Sequence, residues 1–358
     1  MLLARVLAVI RREWFLLGMG SAVLLATIFP DFGAKGGAMH ADMAANLGIS
    51  CIFLFHGMAL STQNLRDGMS RWKLHLLVQV VTFVIFPLLW FPFRLAFGSL
   101  MPDGLMLGFL YLCALPSTIS SSVAMTAIAK GNVPAAIFNA TLSSLIGIFL
   151  TPAIVSLVTG LGGGASLPLG RTIANIALLL LLPFAVGQAL RPLCAGFMRR
   201  YKKYIGTFDK LVIIMLVYGT FCESVKSGLW RNYGLDEFAV TLGGAALFLG
   251  LGLALSSWLA RRVGLPVEDR ITAIFCGSKK TLAAGVPMAG VLFAANPALG
   301  MIVLPIMFYH PLQLFVCSIL ANRFAKRLSR EAPIEAPATF GQAVPSLVMI
   351  KASGKARG

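Results

Sequence analysis

Long apolar runs follow one another along almost the whole chain, separated by short segments rich in Gly, Pro and basic residues. A helix needs roughly 20 residues to cross the hydrocarbon of a bilayer. On that measure the pattern predicts ten spans, at about 14–30, 47–62, 72–93, 104–129, 133–158, 173–190, 207–225, 237–260, 270–294 and 299–321. No run shows the short apolar–polar alternation of a membrane β-barrel. The fourth and ninth spans differ from the rest, because polar residues interrupt each of them. The expected fold is an all-α polytopic membrane protein of ten transmembrane helices. It has a short cytoplasmic segment at 1–13, a membrane domain over 14–321, and a cytoplasmic tail at 322–358 that is partly disordered because its end is Pro-, Ala- and Gly-rich.

Composition agrees with this reading. Hydrophobic residues make up 58% and charged residues 12% of the chain, with a mean hydropathy of +0.85. A soluble fold of this length cannot bury that much apolar surface. The net charge of +17 and the pI near 10.1 would by themselves suggest a nucleic-acid partner. Placement removes that suggestion. With the N-terminus inside, only Lys35, Arg94, Arg171, Lys226 and Arg231 of the 30 Lys and Arg fall in outside segments. Lys279 and Lys280 lie inside span nine, and all the others are cytoplasmic. That asymmetry is the positive-inside pattern, so both termini are assigned to the cytoplasm and the location to the cell (inner) membrane. The basic loops face lipid, and nucleic acid is not an expected partner.

The six cysteines show no metal-ligand or disulfide spacing and read as small packing residues. The first apolar run, from Trp14, lacks a small-residue cleavage site and reads as a true span. No cofactor, metal site or enzymatic motif is implied: neither a nucleophile–base spacing, HExxH nor a phosphate loop occurs.

The two halves of the chain echo each other. Phe29-Pro30 corresponds to Arg191-Pro192, His56-Gly57 to Tyr218-Gly219, Ser117-Thr118 to Ser278-Lys279, and Phe149–Pro152 to Phe308–Pro311. The offsets are 162, 162, 161 and 159 residues. Repeats of five spans must insert with opposite topology. Inverted repeats with broken helices are a transporter architecture, and its site lies at the breaks. Repeat one covers about 14–158 and repeat two about 173–321.

Both breaks carry chemistry. Pro116 removes a backbone donor and disfavours helix at Leu115. Ser117, Thr118, Ser120, Ser121 and Ser122 surround or follow it. Span nine is interrupted by Gly277-Ser278-Lys279-Lys280-Thr281. Irregular backbone at membrane depth persists only when buried in protein or lining a cavity. A Lys at bilayer centre costs about 2.5–3.5 kcal/mol on insertion scales, and no acid in span nine neutralises either one. At least one of Lys279 and Lys280 is therefore expected to face a polar cavity, within reach of Ser117–Ser122, and to hold an organic anion. The other roles left open for these lysines are to fill the place of a metal cation, to titrate, or to snorkel to the interface. His56 and His310 lie within spans, either as hydrogen-bonded structural residues or as a proton relay. Gln79, one turn from Thr82, and Asn139, close to Thr141, are further polar candidates, for interhelical hydrogen bonds or for binding solute.

The stretches FLFHGMALST, LPSTISSSVAMTAIAKGN, CGSKKTLAAGVPM and LPIMFYHPLQL, with the polar fifth span, resemble the bile acid:sodium symporter superfamily over about residues 10–325. They are most similar to its divergent branch of bacterial symporter-like proteins and a eukaryotic member tied to calcium regulation. The resemblance implies a panel of spans one, two, six and seven, and a core of spans three, four, five, eight, nine and ten. Spans four and nine would cross at their breaks. It also marks departures. Phe275 stands where the bile acid branch has a sodium-binding Glu, and Lys279-Lys280 replace a Gln-Asn pair. The span-four Ser-Asn pair aligns with Ser121-Ser122, and Ala136 and Ala140 stand at Ser and Thr ligand positions. Sodium coupling is therefore not expected. The functional expectation is a secondary transporter of a small organic, anionic solute, working by alternating access in the lipid bilayer. The alternative is a non-transporting membrane regulator of calcium homeostasis. Oligomeric state is not readable from the sequence.

Overall fold

The computed structural model describes residues 2–34, 36–59, 68–161, 169–226, 234–294 and 296–331. Lys35, Arg66, Arg231 and the tail beyond Glu331 lie outside the described residues. Every regular element among the described residues is helical. In chain order they are α1 (Leu2–Ile28), the short α2 (Pro30–Gly33), α3 (Ala41–Ala59), α4 (Trp72–Val80), α5 (Phe86–Phe97), α6 (Asp103–Ala114), α7 (Ser120–Ile128), α8 (Val133–Leu161), α9 (Leu169–Ile176), α10 (Leu182–Lys226), α11 (Leu235–Arg262), α12 (Val267–Ser278), α13 (Leu282–Leu292) and α14 (Leu299–Glu331). A π-helical turn, Val81–Ile85, joins α4 to α5, and a second, Ala177–Leu181, joins α9 to α10.

Among the described residues, six helical segments are long and apolar enough to cross a membrane: Trp72–Leu100, Val133–Gly160, Ile173–Cys194, Tyr204–Lys226, Asp236–Arg262 and Leu299–Ser329. Shorter apolar helices occur at Leu17–Ile28, Asn46–Ala59 and Asp103–Ala114. Large apolar side chains stand on the outer surface, Leu95 being 91% and Leu193 83% exposed. Lipid solvates such a surface without penalty, and the chain is a multi-pass membrane protein.

The two polar interruptions are real breaks. Span four divides into α6 and α7 around Leu115–Ile119, and span nine into α12 and α13 around Lys279–Thr281. Leu115 is extended (φ −67°, ψ 147°), as the residue before a proline prefers. Lys279 is extended as well (φ −92°, ψ 146°). The last helix runs beyond the expected span. It continues through 322–331 instead of ending near 321, because Asn322–Glu331 contains neither Gly nor Pro to stop it.

The helices pack as two groups. α1, α2 and α3 lie against α10, whereas α4 to α8 and α11 to α14 pack mainly among themselves. α10 is one helix by its hydrogen bonding, yet it cannot be straight. Gly57 of α3 lies against the backbone of Phe184 and Gln188, and the adjacent His56 bonds Asp209. A straight helix would separate Gln188 from Asp209 by about 30 Å at 1.5 Å per residue. α10 therefore bends back between them, and Pro192 lies in that stretch. The two expected spans at 173–190 and 207–225 are the two arms of this bend.

The approach of α3 and α10 depends on two glycines that meet backbone to backbone. A Cβ on Gly57 would collide with the Phe184 carbonyl, and one on Gly187 with the Leu54 carbonyl. Because these obstacles are backbone atoms, neither can rotate away. Gly187→Ala is expected to destabilise the protein by about 1–3 kcal/mol through overpacking. A thermal unfolding comparison in detergent checks this, with Gly196→Ala, where a Cβ meets nothing, as the control.

On the other group, the turn Lys130-Gly131-Asn132 fixes α7 to α8 and α12. Lys130 adopts the left-handed conformation (φ 59°), and the Gly131 N–H closes on Thr126 O at 2.8 Å. The Asn132 side chain caps α8 by accepting from Ala135 N (3.1 Å) and donates to buried Asp269 (2.8 Å). Arg71 adds an ion pair to the same carboxylate at 3.7 Å.

Candidate functional site

The two breaks touch. Thr281 N donates to Pro116 O at 3.0 Å, so the peptide that interrupts one span completes the other. Ser117 N donates to Ser143 Oγ (2.9 Å), and Thr151 Oγ1 to Ala114 O (2.8 Å), which ties the first break to α8. The second break is tied to α14. Gln313 accepts from Lys280 N at 2.9 Å and donates to Lys280 O at 2.8 Å, and Tyr309 OH donates to Ser278 O. Ser122 Oγ reaches Phe275 O across the crossing at 3.3 Å.

The lysines are satisfied inside the protein. Lys279 and Lys280 are both fully buried. Lys279 Nζ donates to Ser121 O at 2.8 Å. Lys280 Nζ donates to Thr82 O (2.9 Å), Cys113 O (2.8 Å) and Leu115 O (2.8 Å), and lies 4.2 Å from the Phe86 ring centroid. Neither ammonium reaches the surface, and among the described residues neither has a carboxylate partner.

A cavity of about 60 Å³ sits between the two helix groups. From the α3–α10 group it takes Phe53, His56 and Phe184; from the other it takes Thr118, Ser120, Thr141, Ser144, Thr281 and Ala283. The starts of both half-helices line it. Ile119 and Ser120 open α7, whose first turn has no side-chain cap. Thr281 opens α13 and caps it by accepting from Ala284 N. Helix N-termini present unpaired N–H groups and the positive end of the helix dipole. The opposite ends are covered: Lys280 takes carbonyls at the end of α6, and Tyr309 takes the last carbonyl of α12.

The expected site residues therefore separate. Thr118, Ser120, Thr281 and His56 line the cavity. Lys279 and Lys280 are not among the residues lining this cavity, although Lys279 reaches the Ser117–Ser122 segment, as expected, through Ser121 O. The physical reason is that the breaks free backbone carbonyls, and a buried ammonium bonds these in preference to standing alone in a small, largely apolar space. Ser121 bonds Thr118 Oγ1 at 3.2 Å, and Ser278 bonds back to Ile274 O. Ser117 and Ser122 are buried in the crossing. Gln79 donates to Asn139 O at 3.4 Å, an interhelical contact. His310 bonds Gln313 (3.1 Å) and meets the Phe15 ring edge-on.

Sequence reasoning missed Asp209, which lies 3.2 Å from His56 Nε2, and Gln313, which clamps the second break. Asp209 looked like an acid at a span end. Gln313 stands three residues after His310 in an apolar run, and that spacing on one helix face is the signal that could have revealed it.

Comparison with known proteins gives the family. Residues 13–326 match the SBF-like CPA transporter family. The chain is 44% identical over 313 residues to "Uncharacterized protein PA2026" of Pseudomonas aeruginosa, covering 87% of this chain and 93% of that protein. It is 39% identical over 315 residues to "Putative symporter YfeH" of Escherichia coli, with the same coverage of 87% and 93%. It is 31% identical over 325 residues to "Sodium/bile acid cotransporter 7" of Rattus norvegicus, covering 88% and 93%. The chain belongs to the SBF-like CPA transporter family, a membrane transporter family within the bile acid:sodium symporter-like superfamily.

Proposed function

We propose that the protein is a secondary transporter of a small organic anion and that it works by alternating access. The observation that carries this reading is the pairing of two half-helix N-termini, at Ser120 and Thr281, on one cavity. Two helix N-termini and several hydroxyls on one cavity suit a carboxylate or similar group. Lys279 and Lys280 add two fixed charges behind that surface, so they favour an anion through the field rather than by contact. At about 60 Å³ the cavity is far smaller than the roughly 300–1,000 Å³ of ligand pockets. A solute fits only if the two helix groups separate, which is the motion alternating access requires.

In this reading the membrane domain has ten spans in two inverted five-helix repeats. Spans one, two, six and seven form the panel and the remaining six the core, in line with the packing of α1–α3 on α10. The ten-span count follows from adding α1, α3 and the two broken spans to the six long helices. Both termini are cytoplasmic, and His56 with Asp209 stands beside the solute path as the candidate for proton coupling.

Sodium is not the coupling ion in this proposal. Phe275, Ala136 and Ala140 are fully buried and supply no side-chain oxygen, and sodium sites need several oxygen ligands. Uptake into proteoliposomes is therefore expected to proceed at the same rate when sodium is replaced by potassium or choline at fixed pH and ionic strength. Paired probes test the solute class: small carboxylates should enter and their amides should not. A sodium-dependent rate, or equal uptake of carboxylate and amide, would refute the proposal.

A further inference from the structure

Three backbone carbonyls converge on Lys280 Nζ, and the sequence frees each of them by a separate device. In the π-helical turn Val81–Ile85, Phe86 N bonds Val81 O, one residue further back than an α-helix would place it. The π partner of Thr82 O would then be residue 87, and Pro87 has no N–H to give. Cys113 O would ordinarily pair with Ser117 N, but that group donates to Ser143 Oγ. Leu115 O stands at the break itself, immediately before Pro116. The face of Phe86 closes the set, 4.2 Å from Nζ. Three carbonyls at 2.8–2.9 Å and an aromatic face form a cation-binding arrangement built from two different spans.

We propose that these groups form a monovalent-cation cage, which the chain fills with its own Lys280 ammonium and which accepts a free cation when that ammonium is removed. The cage lies at the negative end of α6, so a positive charge there also offsets the helix dipole. Gln313 fixes the Lys280 backbone by two hydrogen bonds, which aims the side chain into the cage. Because this cation is covalently attached, it joins the second break to span three and to the first break without exchanging with solution.

Lys280→Ala tests this. The substitution removes Cγ, Cδ, Cε and Nζ and leaves the three carbonyls facing a space that a small ammonium ion can enter, with its nitrogen where Nζ was. Purified protein in detergent, with no solute added, is compared in ammonium, methylammonium, potassium, sodium and choline chlorides at equal ionic strength. Wild type should melt at the same temperature in all five. Lys280→Ala should melt several degrees lower in choline and regain at least half of that loss in ammonium, with saturation. Lys279→Ala, which removes a single carbonyl contact, should show no ammonium-specific recovery. The proposal is overturned if Lys280→Ala is indifferent to the cation, or if wild type is itself stabilised selectively by one of them. It is also overturned if the variant cannot be recovered even when ammonium is present throughout purification. The readout is stability without solute, so the result stands apart from whether an organic anion is transported.

Discussion

Ala283→Trp is expected to fold and to transport nothing. Ala283 lies in the first turn of α13 and lines the cavity between the two helix groups. An indole there fills a space of about 60 Å³ and covers the half-helix start at Thr281. Its ring is larger than that space, so it wedges into the gap between the two helix groups and competes there with solute. Uptake into proteoliposomes should fall to the level of protein-free vesicles, while the variant still inserts and melts cooperatively in detergent, because the gap can widen where a packed core cannot. Ala245→Trp is the counterpart in packed core: Ala245 is fully buried in α11 away from the cavity, so this variant should lose stability through overpacking. If Ala283→Trp retains uptake, solute does not pass between these helix groups.

The second large effect concerns stability. Gln313→Leu keeps the side chain's approximate size but strands Lys280 N–H and Lys280 O, both of which it now satisfies at 2.9 and 2.8 Å. Each buried group left unpaired costs about 1–3 kcal/mol. The variant is thus expected to lose about 3 kcal/mol, read as a clear fall in thermal or denaturant stability. Gln79→Leu makes the contrast. Its amide makes one long contact, to Asn139 O at 3.4 Å, and its Oε1 has no partner among the described residues. Replacing a poorly satisfied amide by an apolar group should be nearly neutral. Equal losses in the two variants would show that the clamp on the second break is not special.

The positions of the helices were legible because hydrocarbon imposes a length and a polarity that few side chains violate. The break in span four was legible because Pro116 and the serines beside it violate both, and the break in span nine because Lys279 and Lys280 do. The surroundings of the lysines were not legible. The oxygens that hold Lys280 belong to Thr82, Cys113 and Leu115, and any residue type carries a backbone carbonyl. Pro87, Pro116 and Ser143 help to free them, but these residues mark the carbonyls only once the register of the π turn and the packing of α8 on the first break are known. The expectation that a lysine would line the cavity took charge as a sign of solvent contact, and the broken helices supply their own acceptors. His56 was legible as a polar residue in a span, but its partner Asp209 was not. Pro192 marks a kink in α10, but a proline alone does not say that the helix folds back far enough to bring Asp209 to His56.

One measurement bears most directly on the claim that the cavity carries an organic anion. Proteoliposomes containing wild type or Ala283→Trp are incubated with a mixed pool of small metabolites, washed, and their trapped contents are identified by mass spectrometry. The account predicts that at least one organic anion is enriched with wild type and absent with the plugged variant. Identical contents in the two preparations, or a wild-type-specific solute that is neutral or cationic, would contradict it.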